Sequence, residues 1–152
     1  DDNSIVILEF EDGVVAVMEE SWTKLGGMDD KAEIHGSEGV AYADVLQGNS
    51  IQTYSNKGID YAVEKAGNTI GWSYTMYEES WNYGFPQEFE HFVDCVKNNK
   101  QPLITGEDGK AVLEVIFAAY ESAGLGKKVM LPFKSDVDKP YKLWKKRSHY
   151  SL

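Results

Sequence analysis

The hydrophobic pattern of this chain changes once, near residue 85. Before that point the apolar residues follow the two-residue period of β-strands, and short runs are separated by turn residues. This pattern predicts seven strands, over Ser4–Phe10, Val14–Ser21, Lys31–His35, Val40–Leu46, Ser50–Ser55, Ile59–Glu64 and Thr69–Tyr77. We expect the first six to pair as three consecutive hairpins, because short Gly-containing turns separate them. Asp12–Gly13 is the strongest of these turn signals.

The first hairpin differs from the others because it is apolar on both faces. In its first strand Val6 and Leu8 alternate with Ile5 and Ile7, and the second strand repeats this pattern. A strand with one face in water would alternate apolar with polar residues. We therefore expect helices to cover one face of this hairpin and another polypeptide to cover the other.

After residue 85 the apolar spacing becomes helical. A stripe typical of an amphipathic helix is formed by Phe85, Phe89, Phe92, Val93 and Val96. A second helix is predicted from about residue 107 to residue 122, capped by Thr105 or Gly106 and stopped by Gly124–Leu125–Gly126. Its expected buried stripe consists of Val112, Val115, Ile116 and Ala119. The apolar run Lys127–Phe133 predicts a final strand.

Hairpins followed by two helices and one strand indicate an α+β fold. The expected architecture is an open, mainly antiparallel sheet of about 6–8 strands. Two helices should pack on one face of the sheet. The other face would remain available for oligomerisation, because an apolar face of that size needs a partner.

Composition narrows the classes of function. The chain has 152 residues and a net charge of −10, and residues 134–152 form a basic tail with six basic and two acidic side chains. An acidic body repels polyanions, so we expect no nucleic-acid partner. No apolar run is long enough to predict a membrane span. Cys95 is the only cysteine and is expected to be a packed free thiol, and three scattered histidines predict no metal site.

Several segments, in this order, together resemble one family. They are Asp2–Phe10, Glu20–Trp22, Ala32–Gly39, Glu88–Phe89, Phe92–Val93, Pro102–Gly109, Ala118–Ala123, Val129–Pro132 and Lys139–Trp144. The chain is similar to the C-terminal part of the glucose–fructose oxidoreductase, inositol dehydrogenase and MocA group (Gfo/Idh/MocA). The resemblance implies an enzyme with an N-terminal Rossmann domain that binds NAD or NADP. It also implies a subunit interface on the open sheet, because this sheet commonly forms the interface in members of the family.

The chain departs from the whole-enzyme pattern of that family. It contains no Glu-Lys-Pro motif, no Asp and His spaced four apart, and no dinucleotide fingerprint. Gly124 and Gly126 follow a helix and precede an apolar run, which is typical of a helix C-cap and not of a phosphate loop. We therefore expect no catalytic, cofactor-binding or metal-binding residue in this chain. Residues 1–133 are interpreted as the substrate-side domain and residues 134–152 as the tail.

Substrate-binding candidates lie in two loops. The long polar segment from Trp22 to Asp30 matches a loop that lies near the substrate in members of the family. A second group of aromatic residues precedes the first helix, where rings can stack on sugar C–H surfaces; Trp72 and Tyr74, just before it, are expected to be core residues instead. The candidates are Trp22, Lys24, Met28, Asp29, Trp81 and Tyr83.

The leading hypothesis is a C-terminal, substrate-side and oligomerisation domain of an NAD(P)-dependent oxidoreductase acting on a sugar or polyol. In that case the expected partners are further copies of the chain and its own N-terminal Rossmann domain. The default location is the cytoplasm. The alternative is a stand-alone carbohydrate-binding or scaffold module without catalysis.

Overall fold

The computed structural model describes residues 2–25, 29–46, 48, 51–59, 69–75 and 79–145. The chain divides into two compact units, Asp1–Asp94 and Cys95–Leu152. The first unit contains all six strands of the described residues. The second contains the long C-terminal helix and the tail.

Strands β1 (Asn3–Glu9) and β2 (Val15–Ser21) form the first predicted hairpin, antiparallel and with Ile7 opposite Val17. The Asp12–Gly13 turn closes it. Phe10 N–H donates to the Val14 carbonyl oxygen at 2.9 Å, and Val14 N–H donates to Asp12 Oδ1 at 3.2 Å. Gly13 has a φ of +88°, which a residue without Cβ adopts at little cost. The prediction from the Asp-Gly signal is confirmed.

Strands β3 (Lys31–His35) and β4 (Val40–Asp44) form the second predicted hairpin. Gly36 N–H donates to the Gly39 carbonyl oxygen at 2.8 Å across the turn. The pairing agrees with the alternating pattern and the Gly-bounded turn that predicted it.

The third pairing differs from the prediction. Strand β5 (Ile51–Ser55) pairs with β6 (Gly71–Thr75), a pairing that differs from the hairpin predicted for the third pair. Ile59 lies outside any strand, and residues 60–64 lie outside the described ranges. The side chain of the buried Thr69 bonds to the backbone of Ile59. The Thr69 hydroxyl accepts from the Ile59 N–H and donates to the Ile59 carbonyl oxygen, both at 2.7 Å.

The ladders join the described strands into three separate two-stranded sheets. The single open sheet expected from the sequence is therefore not observed among them. A two-residue period specifies which side chains share a face and where a hairpin turns. It does not specify which hairpin lies beside which, because that depends on contacts distant in sequence.

Helices follow β6 along the chain. They are α1 (Glu79–Asn82), α2 (Phe85–Asn98), α3 (Gly106–Leu125) and α4 (Tyr141–Lys145). The two long helices match the predicted ones. Thr105, and not Gly106, is the N-cap of α3, and Gly126 ends the helix in the left-handed conformation with a φ of +63°. Within the described ranges, none of the helices combines the length and apolar character needed to cross a bilayer.

The predicted helical stripes are largely exposed. Phe89 and Val96 of α2 are 72% and 82% exposed, and Val112 of α3 is also exposed. In contrast, Cys95 is buried as expected for a packed thiol, and Ala118 is the buried residue of α3. The expectation that these stripes are buried is wrong for most of their residues. A stripe identifies the face of a helix that can be buried but not what will cover it.

The predicted strand Lys127–Phe133 is also wrong, since none of these residues is in a strand. The segment is fixed by its side-chain and backbone contacts with α3. Ser122 Oγ donates to the Lys127 carbonyl oxygen at 2.8 Å, and Phe133 N–H donates to Glu114 Oε1. These bonds replace the ladder that an apolar run would need to form a strand.

The short helix α4 packs against α3. Its Leu143 is buried, and its backbone lies directly over Gly124: a Cβ at Gly124 would lie 2.5 Å from the Leu143 carbonyl oxygen. Lys142 forms an ion pair with Asp138 one turn earlier. Of the predicted stop residues, only Gly126 is the C-cap of α3. Gly124 lies within the helix, where its lack of a Cβ allows the α4 backbone to come close.

The capping box at the start of α3 supports a stability prediction. Asp108 N–H donates to Thr105 Oγ1 at 3.3 Å, and Thr105 N–H donates to Asp108 Oδ2 at 2.8 Å. We expect Thr105→Ala to lower the free energy of unfolding by about 1 kcal/mol, while Thr105→Ser, which keeps the hydroxyl, changes it little. Urea denaturation followed by circular dichroism measures both. Equal stability of the two variants would contradict the role of the hydroxyl.

The same box should make stability depend on pH. Hydrogen bonds from the Thr105 backbone N–H and then from its side chain hold the pKa of Asp108 below its usual value. A lowered pKa in the folded state means that this contribution is present above the ordinary carboxyl pKa and is lost as pH falls through the folded value. As the pH falls below the ordinary carboxyl pKa, we therefore expect Thr105→Ala to lose less stability than the wild type.

Candidate functional site

The predicted loop after β2 begins with a turn organised by Ser21. Its hydroxyl oxygen accepts from Thr23 N–H at 3.3 Å and from Lys24 N–H at 3.0 Å, and it donates to Asn3 Oδ1 at 2.6 Å. Asn3 Nδ2 in turn donates to Thr23 Oγ1 at 3.1 Å. The end of the first hairpin therefore fixes the direction in which the loop leaves the sheet.

The candidate side chains of this loop lie on the surface. Trp22 is 78% exposed, while its N–H donates to the Asp2 carbonyl oxygen at 2.8 Å. Lys24 is exposed, and Asp29 forms an ion pair with Lys31 at 3.2 Å between Nζ and Oδ2. Met28 lies outside the described residues. The loop thus combines a ring, a cation and a carboxylate, which are groups able to contact a hydroxylated ligand.

The second pair of candidates follows β6. Trp81 is on α1 and 58% exposed, so its predicted loop position is corrected to a one-turn helix. Tyr83 lies in the turn between α1 and α2, where its ring meets Phe85 edge-on with centroids 6.3 Å apart. Gly84 N–H donates to the Trp81 carbonyl oxygen at 3.1 Å, which closes the turn. These aromatic residues are held close together at the start of α2.

The hydrogen bonds and ring contacts given above tie each loop to its own neighbouring segments, and none of those given joins the first loop to the second. Trp22 and Lys24 share the Ser21 turn, and Trp81 and Tyr83 share the α1 turn. Both groups belong to the first unit. In the part of the chain that the structure describes, no cluster of three metal-ligating side chains occurs.

The positions of Trp72 and Tyr74 contradict the expectation that they are core residues. They are 66% and 39% exposed on one face of the β5–β6 hairpin. On the opposite face, the half-buried Thr53 and Ser73 share a hydrogen bond of 2.8 Å between their hydroxyl groups. The two-residue period correctly places Trp72 and Tyr74 on one face of the hairpin. The more buried face is the opposite one, which carries the hydroxyl groups of Thr53 and Ser73.

Sequence reasoning missed the residues that support the first loop. Asn3 and Ser21 lie at the two open ends of the first hairpin, opposite each other in the register. A Ser at the end of a strand can accept from the backbone N–H two residues later, and this local turn motif could have indicated the role of Ser21. The contribution of Asn3 depends on the pairing of two strands and has no local signal.

Residues 1–131 match the family model described as "Oxidoreductase family, C-terminal alpha/beta domain", of the Gfo/Idh/MocA group. This match covers most of the chain. It agrees with the ordered set of motifs and with the mixture of antiparallel hairpins and helices.

Two of the curated relatives are inositol dehydrogenases. The chain is 30% identical over 140 residues to scyllo-inositol 2-dehydrogenase (NAD(+)) of Bacillus subtilis (strain 168), covering 92% of the chain and 37% of that protein. It is 26% identical over 121 residues to myo-inositol 2-dehydrogenase of Thermotoga maritima, covering 80% of the chain and 34% of that protein.

Two solved structures are also similar to the chain. GenD2 from gentamicin A biosynthesis, in complex with NAD, superposes with a TM-score of 0.79 at 32% identity, over 87% of this chain and 37% of that one. A probable dehydrogenase from Thermotoga maritima superposes with a TM-score of 0.58 at 26% identity, over 80% of this chain and 34% of that one. The chain therefore spans little more than a third of the length of these relatives.

Proposed function

The chain belongs to the Gfo/Idh/MocA oxidoreductase family, as its C-terminal α/β domain, and on this premise we propose that it is the substrate-side domain of an NAD(P)-dependent enzyme that oxidises or reduces a sugar or polyol. The observation that carries the proposal is the match over residues 1–131. The names of the two inositol dehydrogenases and the NAD bound to GenD2 support the substrate class and the cofactor.

In this proposal the chain supplies binding groups and not the chemical step. Hydride transfer requires a nicotinamide held against the substrate carbon and a group that moves the hydroxyl proton. By the resemblance to the family, an N-terminal Rossmann domain would bind NAD or NADP and supply a lysine and a histidine that move this proton. Residues 1–133 would form a wall of the substrate site, and residues 134–152 would be an appended tail.

The proposed substrate contacts come from the two candidate loops. Trp22 and Trp81 have exposed rings that can stack on the C–H face of a polyol. Tyr83 contributes a phenol, and Lys24 and Asp29 contribute polar groups that can bond hydroxyls. Met28 is included as a substrate contact on the sequence prediction alone, because it lies outside the described residues. The Ser21 turn supports the role of the first loop, because it orients Trp22 and Lys24 at the backbone.

Self-association is the second part of the proposal. Ile5, Ile7, Val15 and Val17 form one face of the first hairpin and are 59–70% exposed. An aliphatic face of this kind on a water-exposed hairpin favours coverage by another polypeptide. We propose that a second copy of the chain covers it. Sedimentation on dilution tests this, and a stable monomer at all concentrations would contradict it.

The enzymatic proposal is tested on the product of the complete reading frame. Reduction of NAD or NADP is followed by absorbance with scyllo-inositol and myo-inositol as first substrates. We expect Trp81→Ala to raise KM with a smaller change in kcat, because it removes contacts present before and during the chemical step. A reading frame without a nucleotide-binding segment would instead favour the carbohydrate-binding or scaffold module.

The 152-residue chain alone provides the complementary measurement. Calorimetric titration with NAD and NADP should give no binding, since the proposal assigns the nucleotide to another domain. Saturable binding of either nucleotide to the isolated chain would contradict the assignment of nucleotide binding to another domain.

A further inference from the structure

Asn3 has an amide side chain at the open end of the first hairpin, directly opposite Ser21 in the register. Its Oδ1 accepts from Ser21 Oγ at 2.6 Å and from Thr23 Oγ1 at 3.2 Å. Its Nδ2 donates to Thr23 Oγ1 at 3.1 Å. One side chain of β1 therefore bonds both to the last residue of β2 and to the candidate loop that follows it.

The bond from Ser21 to Asn3 determines how the Ser21 hydroxyl can bond to the loop. A hydroxyl has one proton and two acceptor lone pairs. Because Ser21 donates its proton to Asn3 Oδ1, both lone pairs remain for backbone N–H groups. They accept from Thr23 N–H at 3.3 Å and from Lys24 N–H at 3.0 Å. Asn3 thus acts on the backbone of the loop through the orientation of the Ser21 hydroxyl.

These side-chain bonds order the loop more than they stabilise the hairpin. Asn3, Ser21 and Thr23 are exposed, so water competes for their hydrogen bonds and the net contribution of each bond to stability is small. The hairpin itself is held by a backbone ladder over seven paired positions. A substitution at Asn3 can therefore loosen the loop while the hairpin stays folded.

A loosened loop would weaken binding at the site to which Trp22 and Lys24 are proposed to belong. A ligand binds only the fraction of molecules whose loop is correctly arranged, so its apparent affinity falls in proportion to that fraction. Ordering the loop at the moment of binding costs conformational entropy. Loss of order should therefore raise KM and leave kcat nearly unchanged, because the chemical step is assigned to another domain.

We propose that Asn3 is a positioning residue for the substrate site. It fixes the backbone from Trp22 to Lys24 through Ser21 and Thr23, and it does not itself contact the substrate. This inference rests on the proposed function, because it requires that the first candidate loop contacts the sugar or polyol. It adds to that function a residue of β1 that determines substrate affinity from outside the loop.

The experiment compares variants of the product of the complete reading frame, with scyllo-inositol and myo-inositol as substrates. We expect Asn3→Ala to raise KM by about two- to tenfold, the range that corresponds to one lost hydrogen bond, while kcat stays nearly constant. Asn3→Asp keeps an acceptor oxygen for the Ser21 and Thr23 hydroxyl groups and should retain most of the affinity. Ser4→Ala is the control, because Ser4 follows Asn3 on β1 and points to the opposite face; it should leave KM unchanged.

Combined variants show whether Asn3 acts through the loop. In a Trp22→Ala/Lys24→Ala background the loop has lost its proposed contacts, so adding Asn3→Ala should change KM no further. A purely structural role of Asn3 would instead add its effect to that of the two loop substitutions. Hydrogen exchange of the complete protein, followed by mass spectrometry, gives a second readout. Exchange at residues 21–25 should be faster in Asn3→Ala but not in Ser4→Ala.

The outcomes that would overturn this inference are distinguishable from failure of the proposed function. If Trp22→Ala or Lys24→Ala raises KM and Asn3→Ala does not, Asn3 has no positioning role while the loop keeps its substrate role. If Asn3→Ala raises KM equally in both backgrounds, it does not act through the loop. If neither loop substitution changes KM of the active enzyme, the substrate role of the loop fails and the role of Asn3 fails with it. Unchanged exchange at residues 21–25 in Asn3→Ala would overturn the inference whether or not either inositol is a substrate.

Discussion

Gly124→Ala should destabilise the second unit, although alanine is the better helix former. The added Cβ would lie 2.5 Å from the Leu143 carbonyl oxygen and 3.1 Å from the Trp144 Cα, and both are backbone atoms that cannot rotate away. Overpacking of this kind costs about 1–3 kcal/mol, against a gain of about 1 kcal/mol from replacing a helical glycine. We therefore expect a net loss in the free energy of unfolding, measured by urea denaturation.

Gly109→Ala is the matched control within α3. A Cβ at Gly109 meets no atom within 4 Å, so only the gain in helix propensity remains. We expect this variant to be about 0.5–1 kcal/mol more stable than the wild type. Two glycines of one helix should thus respond to the same substitution with opposite signs. If both variants were stabilised, α4 would not be packed on Gly124.

Displacement of α4 has a second readout. Lys142 lies on α4, whose Leu143 is buried against the unit. Trypsin should cleave at Lys142 faster in Gly124→Ala than in the wild type, because a displaced helix exposes its backbone to the protease. Gly109→Ala should be cleaved at the wild-type rate.

Local signals in the sequence predicted the local structure well. The Asp12–Gly13 turn, the Thr105 cap and the Gly126 stop each depend on residues within about four positions, and each is present. The period of two or of 3.6 residues identified the faces of strands and helices because it reflects backbone geometry alone. The first two hairpins and the two long helices follow from these signals.

Features that depend on distant contacts were not predictable in this way. The pairing of β5 with β6 joins segments about twenty residues apart, and the exposure of Trp72 depends on which face of that hairpin is covered. The candidate site shows the same division. The sequence indicated the loop containing Trp22 and Lys24, while the Asn3–Ser21 bond that holds it arises only when two strands pair.

The segment after α3 supports the second large prediction, at Glu114. Its carboxylate accepts the Phe133 N–H across a separation of 19 residues, in a part-buried position, where an apolar run had predicted a strand. Removing the acceptor leaves a partly buried N–H without this partner, which costs about 1–3 kcal/mol. We expect Glu114→Ala to lose that amount of stability in urea denaturation.

Glu114→Gln separates the hydrogen bond from the space that the side chain fills. The amide oxygen of glutamine still accepts the Phe133 N–H, but a neutral acceptor contributes about 1 kcal/mol less than a charged one. Hydrogen exchange at the Phe133 amide should therefore remain slow in Glu114→Gln and become fast in Glu114→Ala. If exchange were equally fast in the wild type and both variants, Glu114 would not anchor the segment. The slow exchange expected instead would mean that one carboxylate on α3 fixes a stretch whose hydrophobic pattern alone predicts a strand.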